Sequence, residues 1–210
     1  MRHARRHSLW VAAVAALLLA ACGDDSVEVL PADSVAGAKV GAEAPAFTLG
    51  DQTGKQHSLA GYRGKVVVLE WINPNCPFSR RHAEEGTMTR LASSEPDVVW
   101  LAVNSTAESS GDFLTPDRHA AWNAEHQIAY PVLYDRDGEV GQAYGAKTTP
   151  HMIVVDEAGK VVYNGAIDDD PHGRSDSRTN YVQAALAAHR AGRAADPAAT
   201  RPYGCSVKYG

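Results

Sequence analysis

Cysteine is scarce in this chain. The 210 residues hold three, Cys22, Cys76 and Cys205, and no two of them form a Cys-x-x-Cys pair. That absence excludes the common structural zinc sites and a dithiol contained within one helical turn. Basic charge is also in short supply, with 20 Lys and Arg against 25 Asp and Glu and a net charge of −5. No basic tract offers the electrostatic footprint of a nucleic-acid binder. Internal repeats and long low-complexity segments are missing, which argues against solenoids and arrays. The chain begins with its one long apolar run, Leu9 to Ala21, which is too short for a comfortable membrane span.

That run lies behind a basic stretch containing Arg2, Arg5 and Arg6 and ends in Leu19-Ala20-Ala21-Cys22. Charge, length and the small-small-Cys ending together resemble the bacterial lipoprotein signal. The resemblance implies cleavage after residue 21, lipidation of Cys22, and a product exported to the bacterial cell envelope and held at a membrane by lipid. An ordinary cleaved signal with a chance cysteine is the competing reading. Cleavage would remove three arginines and no acid, taking the charge from −5 to −8. About 190 residues would remain, enough for one well-buried core. Residues 22–41 are small, polar and aperiodic, and read as a tether. If Cys22 carries lipid, Cys76 and Cys205 are left as an even pair in an oxidising compartment, where they can join each other.

The most informative stretch is Val66-Val67-Val68-Leu69-Glu70-Trp71-Ile72, which reads as a buried strand, followed by Asn73-Pro74-Asn75-Cys76-Pro77. Pro77 suits the first position of a helix, predicted to run to about Leu91. Cys76 therefore stands at a helix N-terminus, where free N–H groups and the helix dipole favour a thiolate, the nucleophilic form of cysteine. Further on, strands are predicted over 98–103, 130–134 and 152–155, with helices over 114–126 and 139–144 between them. A hairpin through Asp156–Lys160 leads into 161–163, and a closing helix carries Tyr181, Val182, Ala185 and Leu186 on one face. A short leading hairpin is expected around Phe47–Lys55. The domain is placed at 42–192, with a tail over 193–210 that carries Cys205. Alternation followed by antiparallel pairing predicts an α/β fold: a mixed sheet with helices on both faces.

The strand–Cys76–helix junction, Thr149-Pro150 before a late strand, and the closing hairpin and helix together resemble the thioredoxin-like fold. The branch is that of peroxiredoxin-like proteins (alkyl hydroperoxide reductase/thiol-specific antioxidant). The resemblance covers roughly residues 42–192. It implies that Cys76 is the nucleophile, with Ser79 where thioredoxins carry their second cysteine. It also implies that Glu70 is a buried acid handling protons, and that Thr149-Pro150 is a cis-proline loop beside the nucleophile that meets substrate. His151 would then fall near Cys76. An acid inside an apolar strand has a raised pKa and can pass a proton near neutrality, unless it reaches water at the strand end.

Other roles follow from residue chemistry. A Ser79 hydroxyl can donate to a thiolate, and Arg80, Arg81 and His82 either add positive potential or form a solvated helix face. His151 is a thiolate-stabilising cation, a metal ligand, or simply the first residue of a strand. Cys205, in a Gly/Pro/Tyr tail, is either a mobile resolving cysteine or half of a permanent Cys76–Cys205 staple. Asp168-Asp169-Asp170 reads as a solvated acidic loop, since its spacing matches no calcium site. The peroxiredoxin motif Pro-x-x-x-Thr-x-x-Cys is incomplete, with Leu69 and Asn73 in place of its proline and threonine.

The leading expectation is a membrane-tethered thiol–disulfide oxidoreductase. It acts on protein or small-molecule disulfides through Cys76 and Cys205, takes electrons from a thiol donor and needs no cofactor. A thiol peroxidase acting on peroxide is the alternative, followed by a copper-binding module using Cys76, Cys205 and His151 or His82, and by a structural lipoprotein.

Overall fold

The computed structural model describes residues 26–210, so the export signal and Cys22 lie outside the described residues. The central strand β3 (Val67–Trp71) is buried along its whole length. It pairs in parallel with β4 (Val99–Asn104) and antiparallel with β7 (His151–Val155). Both faces of these strands are covered, which is why each reads as a near-continuous apolar run rather than an alternating one. The chain adds β1 (Thr48–Asp51), β2 (Gln56–Ser58), β5 (Val132–Tyr134) and β8 (Val161–Gly165) to give a seven-stranded sheet of order β2-β1-β5-β4-β3-β7-β8. The leading β1–β2 hairpin is present as expected.

Side chains alternate between two cores, as the two-residue period of a strand requires. Val68, Ala102, Met152 and Val154 face helices α1 (Pro77–Glu84), α2 (Thr87–Ser94), α3 (Pro116–Glu125) and α5 (Tyr181–Arg190), packing with Met88, Leu91, Val182 and Leu186. Leu69, Trp71, Leu101, Val103, Ile153 and Val155 face the other way, against Phe47, Leu59 and Tyr144 of α4 (Glu139–Tyr144). This is the expected mixed-sheet α/β architecture of thioredoxin-like type.

Three expectations need correction. The helix predicted over 77–91 is two helices, because Gly86 takes a left-handed conformation (φ 60°) between α1 and α2. The segment expected as a tether packs on the domain from residue 26 onward. Leu30 N–H donates to Ala199 O at 3.0 Å, Ala38 N–H to Tyr144 O at 3.2 Å and Gly41 N–H to Val161 O at 2.8 Å, while Val35 and Ala38 are buried. Its few apolar residues dock singly, so no periodic signal marks them. The C-terminal tail is likewise held in place. Asn164 N–H donates to Ala198 O and Asn164 O accepts from Thr200 N–H, and a second small sheet joins β6 (Thr148–Thr149) to β9 (Cys205–Ser206).

Candidate active site

Beyond β3 the chain turns through an Asn-Pro-Asn loop tied down by its own side chains. Asn73 Oδ1 accepts from Asn75 N–H at 2.8 Å, and Asn73 Nδ2 donates to Thr106 Oγ1 at 3.1 Å. The loop delivers Cys76 as the N-cap of α1, with extended backbone and Pro77 at the first helical position. No side chain caps this helix start. Its free N–H groups are left to the cysteine sulfur, and the Ser79 N–H is directed at it.

Cys76 is 2% exposed, and its thiol donates to Thr149 O at 2.8 Å. The Thr149–Pro150 bond is cis. Thr149 stands opposite Cys205 in the antiparallel β6–β9 register. Cys205 is thereby brought beside the Cys76 sulfur, and both cysteines are free thiols. Burial pushes the Cys76 pKa up, but the donors from Cys205 and the Ser79 N–H outweigh it, and the net direction is down. Cys205 moves the opposite way, to about 11, through burial, its hydrogen bond to Cys76 and the Cys76 charge. The pair is therefore polarised: of the two, Cys76 gives up its proton more readily and Cys205 holds its own more tightly.

The other expected site residues are placed as follows. Ser79 is buried, and its hydroxyl has no hydrogen-bond partner; the backbone N–H, not the side chain, serves the sulfur. Glu70 is buried on the α1/α2 face of the sheet, where it accepts from Tyr130 OH at 2.8 Å. Burial raises it to about 7 against the opposing pull of that hydrogen bond. It shares an internal cavity of about 10 Å³ with His82 and Met88. Pro150 follows Thr149 beside the sulfur pair. His151 is turned into the sheet, with Nδ1 accepting from Lys147 N–H at 3.2 Å and Nε2 donating to Asn164 Oδ1 at 2.7 Å. Burial pushes it down to about 4, so it is a neutral ring with both nitrogens engaged.

The acidic loop is not solvated. Asp168 and Asp170 are buried, and they face Arg81 and Arg178. Tyr203, two residues before Cys205, donates to Asp168 Oδ1. His82 Nε2 lies 2.8 Å from the Tyr203 oxygen and 3.0 Å from Arg81 Nη2, and its Nδ1 lies 3.2 Å from Thr87 Oγ1. His82 is pushed down to about 3 by burial and by the Arg81 and Arg178 charges, so it lends Cys76 no positive charge. Arg81 and His82 are thus turned inward rather than forming a solvated face. Arg80 donates to Pro74 O within the active-site loop. Sequence reasoning missed Tyr203, Asp168 and Arg178 as neighbours of the site; the one signal was Tyr203's place beside Cys205.

Among the described residues no three His, Cys, Asp or Glu side chains converge to hold a metal ion, so the copper reading lacks a ligand set. No helix among them is long and apolar enough to cross a membrane.

The model of the AhpC/TSA family matches residues 40–164. The chain belongs to that family. The matched segment contains Glu70, Cys76, Thr149 and Pro150, and it stops short of Asp168, Tyr203 and Cys205. The thiol-disulfide oxidoreductase ResA of Geobacillus thermodenitrificans is 30% identical over 122 residues, covering 58% of this chain and 66% of that protein. The chloroplastic peroxiredoxin Q of Suaeda salsa is 27% identical over 154 residues, covering 67% of each. A crystal structure of a hypothetical protein from Sinorhizobium meliloti 1021 superposes with a TM-score of 0.74 at 26% identity, covering 82% of this chain and 95% of the other. The chain thus matches about two thirds of the length of its named enzyme relatives, and its fold extends over nearly all of a solved one.

Proposed function

We propose that this family member is a thiol–disulfide oxidoreductase whose centre is the Cys76–Cys205 dithiol. The observation that carries the reading is Cys76 at a helix start with its thiol on Thr149 O, and Cys205 paired opposite that same Thr149 across β6 and β9. The Cys76 thiolate attacks one sulfur of a substrate disulfide, a new S–S bond forms, and the other sulfur leaves as a thiolate that takes a proton from water. Cys76 then carries no charge, so one of the causes holding the Cys205 pKa high disappears. Cys205 gives its proton to water, attacks Cys76 Sγ and expels the second substrate sulfur as a thiolate, which takes up a proton in turn. The dithiol becomes a disulfide and the substrate disulfide becomes two thiols. Glu70, poised at about 7, is the proton carrier nearest neutrality on the α1/α2 face of the sheet. A separate thiol donor restores the dithiol. ResA's name and the family match support this reading. Cys76→Ser is expected to abolish disulfide reduction in a dithiothreitol-coupled assay; unchanged activity overturns it.

The likeness to peroxiredoxin Q favours one second reading. A peroxide would convert the Cys76 thiolate to a sulfenic acid with release of an alcohol or water, and Cys205 would condense with it, expelling water. Against this, Asn73 replaces the motif threonine and its side chain is committed to Asn75 and Thr106. Oxidation of Cys76 by hydrogen peroxide no faster than free cysteine removes the peroxidase reading. Residues 1–22 support export and lipid attachment at Cys22, which mass spectrometry of the mature N-terminus tests.

A further inference from the structure

A sulfur in a polypeptide disulfide sits one carbon from its own backbone. Bonding it to Cys76 brings the two Cα atoms to about 4.4–6.8 Å, so the visiting backbone must lie beside the cysteine. An unpaired strand edge is the surface on which such an extended segment docks. The edge next to Cys76 is β6, whose Thr149 carbonyl touches the sulfur. In this protein that edge is occupied. β9 pairs along it, Thr148 opposite Ser206 and Thr149 opposite Cys205. The approach is so close that Gly204 (φ 131°) leaves no room for a Cβ, which would lie 2.2 Å from Thr149 O.

The strand is anchored at both ends. Upstream, Tyr203 bonds to Asp168 and His82, and its ring packs on Phe78 at 5.9 Å between centroids. Downstream, Val207 N–H donates to Lys147 O at 3.0 Å, Ala107 N–H to Lys208 O at 2.7 Å and Tyr209 OH to Ala146 O at 2.7 Å. Cys205 therefore sits where a substrate polypeptide's cysteine would have to sit.

We propose that residues 203–209 are a built-in occupant of the peptide-docking edge, so that the dithiol exchanges with low-molecular-weight disulfides and turns polypeptide disulfides away. The proposal rests on the exchange reading above and assigns its substrate class. A small disulfide carries no flanking chain and so has no need of the β6 edge that β9 occupies.

The test compares oxidation of the reduced protein by hydroxyethyl disulfide and by insulin, each rate divided by that of dithiothreitol with the same oxidant. The native protein is expected to prefer the small disulfide by roughly tenfold or more, the scale of one or two hydrogen bonds lost on docking. Val207→Pro removes the N–H bound to Lys147, and Tyr203→Phe removes the anchoring hydroxyl; each is expected to raise the insulin rate and narrow the ratio. Equal normalised rates in the native protein overturn the strand's role whatever the variants do. An unchanged ratio in a variant that retains its native far-UV circular dichroism overturns it too. Absence of any reaction with hydroxyethyl disulfide overturns the exchange reading itself and this proposal with it.

Discussion

Cys76 illustrates how much of a side chain's chemistry belongs to its neighbours. Burial alone would raise the pKa of a cysteine 2% exposed, and here the donors from Cys205 and Ser79 turn the net direction downward. Cys205→Ala removes one donor, and the titration midpoint of Cys76, read from thiolate absorbance or alkylation rate, is expected to rise; an unchanged midpoint would show that Cys205 does not act on it. Glu70 makes a second test at this scale. Its value of about 7 in the fold exceeds the ordinary 4.5, so the native state holds the proton more tightly than the unfolded chain. Its contribution to stability is complete below pH 4.5 and is lost as the pH rises through 7. Relative to the native chain, Glu70→Gln is therefore expected to gain about 3 kcal/mol between pH 4 and pH 8 in urea unfolding. A flat difference would mean that Glu70 stays ionised.

The elements differ in how far local sequence describes them. β3, β4 and β7 were legible because burial on both faces leaves an apolar run bounded by polar turns. The end of α1 was not, because helical periodicity continues through Met88 and Leu91 of α2 while Gly86 breaks the backbone between them. β9 is two residues long and gains its place from β6 rather than from any propensity of its own. Gly204→Ala tests that dependence. The added methyl collides with Thr149 O, so β9 is expected to separate from β6 and the rate of Cys76–Cys205 disulfide formation to fall at least roughly tenfold in quenched-flow alkylation. A rate equal to that of the native protein would show that the close approach is dispensable.

At the scale of the whole molecule, three buried histidines govern acid stability. His82, His119 and His151 are pushed down to about 3, 4 and 4 from 6.5, each with burial as the first cause. His119 has no hydrogen-bond partner for either ring nitrogen. Folding holds all three neutral, so the stability they permit is complete above pH 6.5 and is lost as the pH falls toward their folded values. Glu70 acts the other way over much of this interval. Near pH 5.5, unfolding takes up three protons at the histidines and releases one at Glu70, a net uptake of about two. The urea midpoint is expected to fall steeply between pH 6.5 and 4.5; a midpoint independent of pH there would contradict the buried neutral rings. The same scale explains the ordered ends of the domain. Glu28 and Leu30 bond to Arg201 and Ala199, so segments that read as tether and tail support each other.

The sequence by itself determined the layered α/β fold, the covered strands and the place of Cys76 at a helix start, because each is written in neighbouring residues: an apolar run, an Asn-Pro-Asn stop, a proline at the first turn of a helix. It also marked Thr149-Pro150 and Glu70 through their resemblance to a known family. Only the tertiary structure decided what surrounds the sulfur. Ser79 presents its backbone rather than its hydroxyl, His151 points into the sheet, and the acidic loop clasps Arg81, Arg178 and Tyr203. The tail lies along β6 with Cys205 against Cys76. These contacts join residues far apart in the chain, and their geometry depends on strand register, which no local pattern of residue types encodes.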